Sequence, residues 1–468
     1  MSGEGFVPAL PQAFLRSMEA LLGEEYPAFL ASFDAEKTYG LRHNPLKLDR
    51  ASFLQLAGQA GWVTGQVPWA AEGFYADPAA RPGRHPLHEA GLYYIQEPSA
   101  MAVAEFLLPA DEPRQNLNVL DLCAAPGGKT TQLAGRMGPG GLLVANEIMG
   151  ERARILSRNV ERMGVRNAVV TSEAPARLAQ RFPGFFDRIL ADAPCSGEGM
   201  FRKDPAARQE WSPENVQLCV NRQRQVLEAA ALLLAPGGVL VYSTCTFNRS
   251  ENEDQVAAFL ADHPDFACEA QQRIWPHRQR GEGHFMARLV RRLASAGGTA
   301  DSGSEKESSG KERSGRKKKR QAGTSGPEGL ADWQAFAAGA LQPGTAERLS
   351  AGMRPQRFGE QLCLLPEAAP WLDGLKVLRP GLCLGSCKKG RLEPDHALAL
   401  ALHPEDALRV RELAEDECLP YLTGQTLPCD ASWSGWCLVS FCGCSLGWGK
   451  ADRGILKNHY PRGLRIQL

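Results

Sequence analysis

Residues 117–131 read LNVLDLCAAPGGKTT, an apolar run that ends in an acid and passes directly into a turn of small residues. Val119, Leu120 and Leu122 have the character of a buried strand, and a helix is expected to begin near Lys129. Gly127 and Gly128 permit backbone angles and close approaches that a side chain would forbid, so a ligand can lie against bare backbone there. In open α/β sheets, ligands settle outside the carboxyl ends of the strands, where the strand order reverses. The turn is therefore expected to form the floor of a cofactor site. It is not a dinucleotide fingerprint, because Gly-x-Gly-x-x-Gly is absent. Nor is it a phosphate loop, because the leading glycine required five residues before Gly128 is replaced by Cys123.

Two later stretches repeat the pattern of a strand running into a chemically active turn. LADAPCSGEG (190–199) places Cys195 after a proline, and VYSTCTF (241–247) places Cys245 after a threonine. Three strand ends then face one crevice. The three motifs resemble those of the Fmu/Sun family of RNA cytosine-5 methyltransferases, and over its length the chain is similar to the bacterial RsmF branch, which acts on 16S ribosomal RNA.

The resemblance implies S-adenosyl-L-methionine as cofactor. That molecule has no phosphate to cradle, which suits a floor made of Cys123, Ala124, Ala125, Pro126, Gly127, Gly128 and Lys129, with Cys123 itself as packing. Glu147 ends the second strand and would hold both ribose hydroxyls, since a carboxylate accepts two hydrogen bonds. Arg152 would support the ribose end and Glu173 would lie near the adenine, with Ser172 competing for that place. Asp192 falls between cofactor and substrate, placed to accept from the cytosine amino group or to stabilise a protonated ring nitrogen.

Carbon 5 of cytosine is a weak nucleophile until a thiolate adds to carbon 6, so the reaction needs a cysteine under the ring. A thiol of ordinary pKa, about 8.5, is mostly protonated at neutral pH, and a nearby positive charge such as Lys129 favours its ionisation. Spacing alone does not decide between Cys195 and Cys245. The resemblance selects Cys245 for attack and leaves Cys195 to assist release of the methylated RNA. Phe201, Arg202, Lys203 and Trp211, in the loop after Cys195, are placed to grip a flipped nucleotide, and Asn248 to border the same pocket.

Around this centre the chain divides into five parts. Residues 1–95 form an N-terminal extension, which the resemblance marks as RNA-contacting through Arg42, Asn44 and Lys47. Gln96 or Ser99 lines the nucleotide pocket as the catalytic domain (96–293) begins, with Ser99 as a helix N-cap. GLLVANE (141–147), NAVVTSE (167–173), FFDRILADAP (185–194) and GVLVYSTC (238–245) alternate with helical stretches, one over roughly 213–235. This predicts a mostly parallel, doubly wound Rossmann-like sheet. GHFMARLVRR (283–292) is expected as its antiparallel edge strand.

Residues 294–328 are too polar to bury a core and read as a disordered linker, whose basic run Arg316–Arg320 is a possible phosphate tether. A small connecting α/β domain (329–375) and a PUA-like small β-barrel (376–468) follow. In the latter, Trp448 and Tyr460 among basic residues suit base stacking and phosphate contact.

The 468 residues carry 53 basic and 53 acidic side chains, so a nucleic-acid surface must come from local clustering. The 13 scattered cysteines are expected to be free thiols in a reducing cytoplasm; Cys437, Cys442 and Cys444 read as small buried hydrophobes, and no metal site is expected. No run approaches membrane-spanning length, and the expected protein is a monomer acting on 16S RNA in the 30S subunit. A transfer-RNA substrate and a non-catalytic ribosome-assembly factor are the rivals. A cysteine hydrolase is disfavoured because no strand-end motif supplies a partnered histidine.

Overall fold

The computed structural model describes residues 8–114, 116–138, 140–293, 329–370 and 372–466; the expected linker and its basic run lie outside them. The central sheet has eight strands: β1 (Asn118–Asp121), β2 (Leu142–Asn146), β3 (Ala168–Thr171), β4 (Phe186–Asp192), β5 (Leu234–Thr244), β6 (Phe266–Ile274), β7 (His284–Arg291) and β8 (Val377–Pro380). Their spatial order is β6-β7-β5-β4-β1-β2-β3-β8, parallel from β5 through β3 and antiparallel at both flanks. The chain starts in the middle at β1, runs outward to β3, then crosses back to β4. The reversal therefore falls beside β1, where the turn Leu122–Gly127 leads into helix α1 (Gly128–Met137).

Helix α2 (Gly150–Arg162) follows β2 and helix α3 (Pro213–Leu233) precedes β5. Ser212 caps α3 by accepting from Asn215 N, and Pro213 opens it at a position that needs no amide donor. The strands read as continuous apolar runs because helices cover both faces: β2 and β3 are buried throughout.

The sheet differs from expectation at its edges. β7 is antiparallel but internal, since β6 pairs outside it. At the other edge β8 arrives from beyond the linker, a non-local addition that no local pattern announces. The expected division at 375/376 is crossed by strand pairing: Gln361–Pro366 pairs with Leu382–Lys388 in a four-stranded sheet that ends at Arg391–Pro394. A separate five-stranded sheet closes the chain, in the order Val410–Glu412, Gly435–Phe441, Cys444–Asp452, Ile455–Asn458, Leu427–Pro428.

Residues 8–98 contain the helices Arg50–Gln59 and Pro86–Glu89, a four-stranded antiparallel sheet that includes Gly40–His43, and two leading helices, Gln12–Leu22 and Tyr26–Ala31. The helices pack Phe14, Met18 and Phe29 against Phe201, Trp211, Phe247 and Trp275, with Phe14 and Phe201 ring centroids 5.0 Å apart. Phe201, Trp211 and Arg202 are thereby buried, with Arg202 paired to Glu282, and none of the three faces the solvent to grip a nucleotide. Ser99 does not cap its helix. Glu97 does that work, accepting from Ser99 N and Ala100 N, while the Ser99 hydroxyl donates to Glu97.

The Arg42, His43, Asn44 and Lys47 cluster is also interior, each residue being 4 % exposed or less. Arg42 donates to Gln96 Oε1 (2.9 Å), Gly128 O (3.1 Å) and Thr131 Oγ1 (2.7 Å), so it braces the first turn of α1. Asn44 ties Gly91 O to Met163 O, and Lys47 donates to Leu400 O. These residues join domains instead of meeting RNA. Burial lowers Arg42 only to about 10, so it stays charged at neutral pH. Arg42→Ala strips three buried acceptors of their donor, and should lower stability by about 2–3 kcal/mol, read as a fall of several degrees in scanning calorimetry. A variant with wild-type melting and weakened RNA binding would return Arg42 to the RNA surface.

Candidate active site

At the reversal point β1 ends in Asp121, and Glu147 directly follows the last residue of β2. Gly127 has φ 111, a conformation that disfavours any L side chain, and a Cβ there would stand 3.1 Å from Leu156. Below this turn lies Asp121, 1 % exposed, whose Oδ2 accepts from Thr130 Oγ1 (2.6 Å) while Oδ1 has no hydrogen-bond partner. Burial raises the Asp121 carboxyl to about 7, with the Asp192 charge adding to the rise. Glu147 is buried at the end of β2, its Oε1 accepting from Met149 N (2.9 Å) and its Oε2 3.4 Å from Arg152. Arg152 also donates to Ala125 O (2.9 Å), so it links this carboxylate to the turn.

Glu173 is placed differently. Its Oε1 accepts from Lys376 N (2.6 Å), so the carboxylate holds the segment that leads into β8. Its backbone N–H and carbonyl are fixed by the buried amide of Asn146, which also bonds Thr171. Cys123 is half-buried by area, packed against the core, and its thiol is pushed far up by burial and by the neighbouring carboxylates.

Across the sheet from β1, the register Asp192↔Ser243 sets the ends of β4 and β5 level. Asp192 Oδ2 meets Lys129 Nζ at 2.8 Å, Oδ1 accepts from Ser243 Oγ at 2.7 Å, and His284 Nε2 stands 3.4 Å from Oδ1. Burial would raise the Asp192 carboxyl, but the Lys129 ammonium and His284 outweigh it and hold the group below the usual carboxylate range. Lys129 is likewise opposed by burial and raised above its ordinary value by Asp192, with Cys245 contributing.

Just beyond, Cys195 Sγ and Cys245 Sγ lie 3.4 Å apart. The contact with Cys245, then burial, pushes the Cys195 thiol well above its ordinary value, so Cys195 keeps its proton. Their loops are held by two buried carboxylates. Glu198 accepts from Phe247 N (2.7 Å), Asn248 N (2.9 Å) and Trp211 Nε1 (3.1 Å). Glu251 accepts from Ser196 N (2.9 Å), Gln223 Nε2 (2.7 Å) and Asn248 Nδ2 (2.7 Å). Gly199 N donates to Cys245 O, and a Cβ at Gly199 would stand 2.9 Å from that oxygen.

The structure therefore gathers Lys129, Asp192, Cys195 and Cys245 at adjoining strand ends, with Glu147 and Arg152 at the far side of the turn. Sequence reading missed Asp121, Ser243, His284, Glu198 and Glu251. Only Asp121, an acid ending a strand, carried a local signal; His284 comes to Asp192 through the antiparallel return of β7. Of the C-terminal cysteines, Cys437 and Cys444 are buried as expected, whereas Cys442 is half-buried in a turn with φ 49. Trp448 and Tyr460 are 2 % exposed and offer no stacking face. Among the described residues no helix is long and apolar enough to cross a membrane.

A parallel sheet with its reversal at a glycine turn, acidic strand ends and two apposed thiols defines a methyltransferase of the Rossmann-like class. Residues 108–290 match the family described as 16S rRNA methyltransferase RsmB/F, 10–98 the N-terminal domain of 16S rRNA methyltransferase RsmF, 336–402 the RsmF first C-terminal domain, and 409–466 the methyltransferase RsmF PUA domain. The ribosomal RNA small subunit methyltransferase F of Shewanella loihica is 34% identical over 446 residues, covering 91% of this chain and 88% of that protein. Its counterpart in Escherichia coli is 33% identical over 480 residues, covering 97% and 96%. A methyltransferase homologue from Pyrococcus horikoshii matches in structure with TM-score 0.53 and 27% identity, covering 60% of this chain and 95% of that one. The chain belongs to the 16S rRNA methyltransferase RsmB/F family, and it is an RNA-methylating enzyme.

Asp121 gives a pH test. Its carboxyl is raised from 3.8 to about 7, so between those values the folded state holds a proton that the unfolded state has lost. Stability conferred at this residue is full below pH 3.8, falls as pH rises through the window, and is flat above about 7. Relative to Asp121→Asn, the wild type should lose roughly 4 kcal/mol across that range, measured by urea unfolding at a series of pH values. Parallel curves for the two proteins would show that Asp121 is ionised throughout.

Proposed function

We propose that the protein methylates carbon 5 of a cytosine in 16S ribosomal RNA, within the 30S subunit, through a covalent bond between Cys245 and carbon 6. It acts as a cytoplasmic monomer and uses S-adenosyl-L-methionine. The observation that carries this reading is the pair of thiols 3.4 Å apart beside the Lys129–Asp192 ion pair. A binder without turnover has no use for two apposed cysteines at the end of a cofactor crevice.

The donor set fits the cofactor. Asp121, Glu147 and Asp192 surround the turn with three carboxyl groups, one with an unsatisfied oxygen, against the cations Lys129 and Arg152. Asp192, held ionised, is the charge that suits a sulfonium cation, and Glu147 is the buried carboxylate for the ribose diol. When bound, the cofactor supplies an electrophilic methyl group.

The protein's own residues do the rest. The target base leaves its stack and enters the crevice. Cys245 adds as thiolate to carbon 6, and the electrons of the 5,6 double bond become available at carbon 5. Lys129 lends positive charge to that addition, while Asp192, kept ionised, accepts from the cytosine amino group or a protonated ring nitrogen. After transfer the carbon 5 proton passes to solvent, its bonding pair restores the 5,6 double bond, and the sulfur–carbon 6 bond breaks with its electrons returning to Cys245. Cys195 holds a proton 3.4 Å from the leaving sulfur, which suits it to assist this release.

The test is transfer of labelled methyl from S-adenosyl-L-methionine to 16S RNA, free and in 30S subunits. Wild type should label the RNA, Cys245→Ala should fall to background, and Cys195→Ala should accumulate a denaturant-resistant protein–RNA adduct. Asp192→Asn should slow transfer by roughly 10²-fold or more. Full activity of Cys245→Ala would overturn the nucleophile assignment, and labelling confined to transfer RNA would overturn the ribosomal substrate.

A further inference from the structure

The C-terminal half contains a cavity of about 620 Å³ that the chemistry above does not use. One wall is helix α4 (Leu330–Ala340), which follows the linker and presents Asp332 and Phe336. The opposite wall is the final sheet, through Trp436, Lys450 and His459, and the turn Lys388–Arg391 closes a third side. No lining residue belongs to the cofactor turn or to the thiol loops, so this is a distinct site.

Its surfaces have the chemistry of a nucleotide pocket. Trp436 is half-buried, with one part of its indole against Trp448 and His459, ring centroids 6.3 Å and 4.6 Å away. Lys450 Nζ lies 5.4 Å from the Trp436 ring. Lys388, Arg391 and Lys450 are exposed at the rim, an arrangement that meets an anionic backbone while the indole meets a flat base. Asp332 and Glu393 add acceptors suited to a base's exocyclic amino groups. Arg409 donates to Trp436 O at 3.2 Å and to Gly339 O on α4, so the two walls are tied together and the cavity is preformed.

We propose that this cavity is a second RNA-binding site, taking one unstacked nucleotide with its base on Trp436 and its phosphates against Lys388, Arg391 and Lys450. It rests on RNA being the substrate and extends that reading to a position remote in sequence from the thiols. It also moves the stacking role from Trp448 and Tyr460, which are interior, to the tryptophan that the structure leaves accessible.

The experiment uses the full-length protein and a fluorescein-labelled 12-nucleotide single-stranded RNA, with affinity read by anisotropy over a salt series. Trp436→Ala should weaken binding by roughly tenfold. The surface pair Lys388→Gln/Arg391→Gln, which leaves the aromatic wall intact and guards against a folding defect in the first variant, should weaken binding and make the slope of log K against log salt shallower by about 1. In methyl transfer to 16S RNA both variants should raise KM with kcat retained, because the thiol crevice is untouched. Wild-type RNA affinity and salt slope in both variants would overturn the assignment. Failure of the wild type to label 16S RNA would strike the proposed function alone, since oligonucleotide binding is measured without turnover.

Discussion

Two buried carboxyl groups under the thiol loops hold the site together. Glu198 and Glu251 are fully buried, and each spends its oxygens on backbone and side-chain N–H groups from the loops carrying Cys195 and Cys245. Neither loop has strand pairing of its own at that point, so these carboxylates replace the missing ladder. Burying an acid is costly, and the raised Glu198 carboxyl reflects it. Several hydrogen bonds to each group offset that cost and convert it into a fixed sulfur–sulfur distance. The N-terminal helices add a lid of aromatic rings over the same loops through Phe14, Phe29, Phe247 and Trp275.

The charges around the cofactor turn are ordered by the same logic. Asp192 is ionised because Lys129 and His284 face it, whereas Asp121 a few ångströms deeper has only a threonine hydroxyl and titrates near neutrality. Similar residues at neighbouring strand ends thus differ in charge because of their partners. The Cys195 thiol, pushed up by its contact with Cys245 and by burial, keeps its proton for the same kind of reason.

The parallel sheet, its reversal at residues 122–128, and the four residues Lys129, Asp192, Cys195 and Cys245 were legible because each sits where a strand meets a turn, a local pattern. What escaped sequence reading was non-local. β8 completes the sheet from beyond the linker, and His284 reaches Asp192 only through the antiparallel return of β7. Polar clusters were read in the wrong direction for a common reason: Arg42, Asn44, Lys47 and Arg202 look like surface groups, yet each finds buried acceptors supplied by a distant segment. Trp448 and Tyr460 look like stacking platforms and instead fill the seams between domains.

The strand Gly40–His43 and the turn after it touch two distant segments within a few residues: Arg42 grips the start of α1, and Lys47 grips the carbonyl of Leu400. Apolar packing runs on from there, through Leu41, Phe53 and Tyr93 to Tyr421, Phe441 and Tyr460. The terminal sheet is thus packed against the N-terminal part that also braces α1, like the second jaw of a calliper. Any RNA that spans the two would meet a fixed gauge, a constraint on its shape and not on its letters.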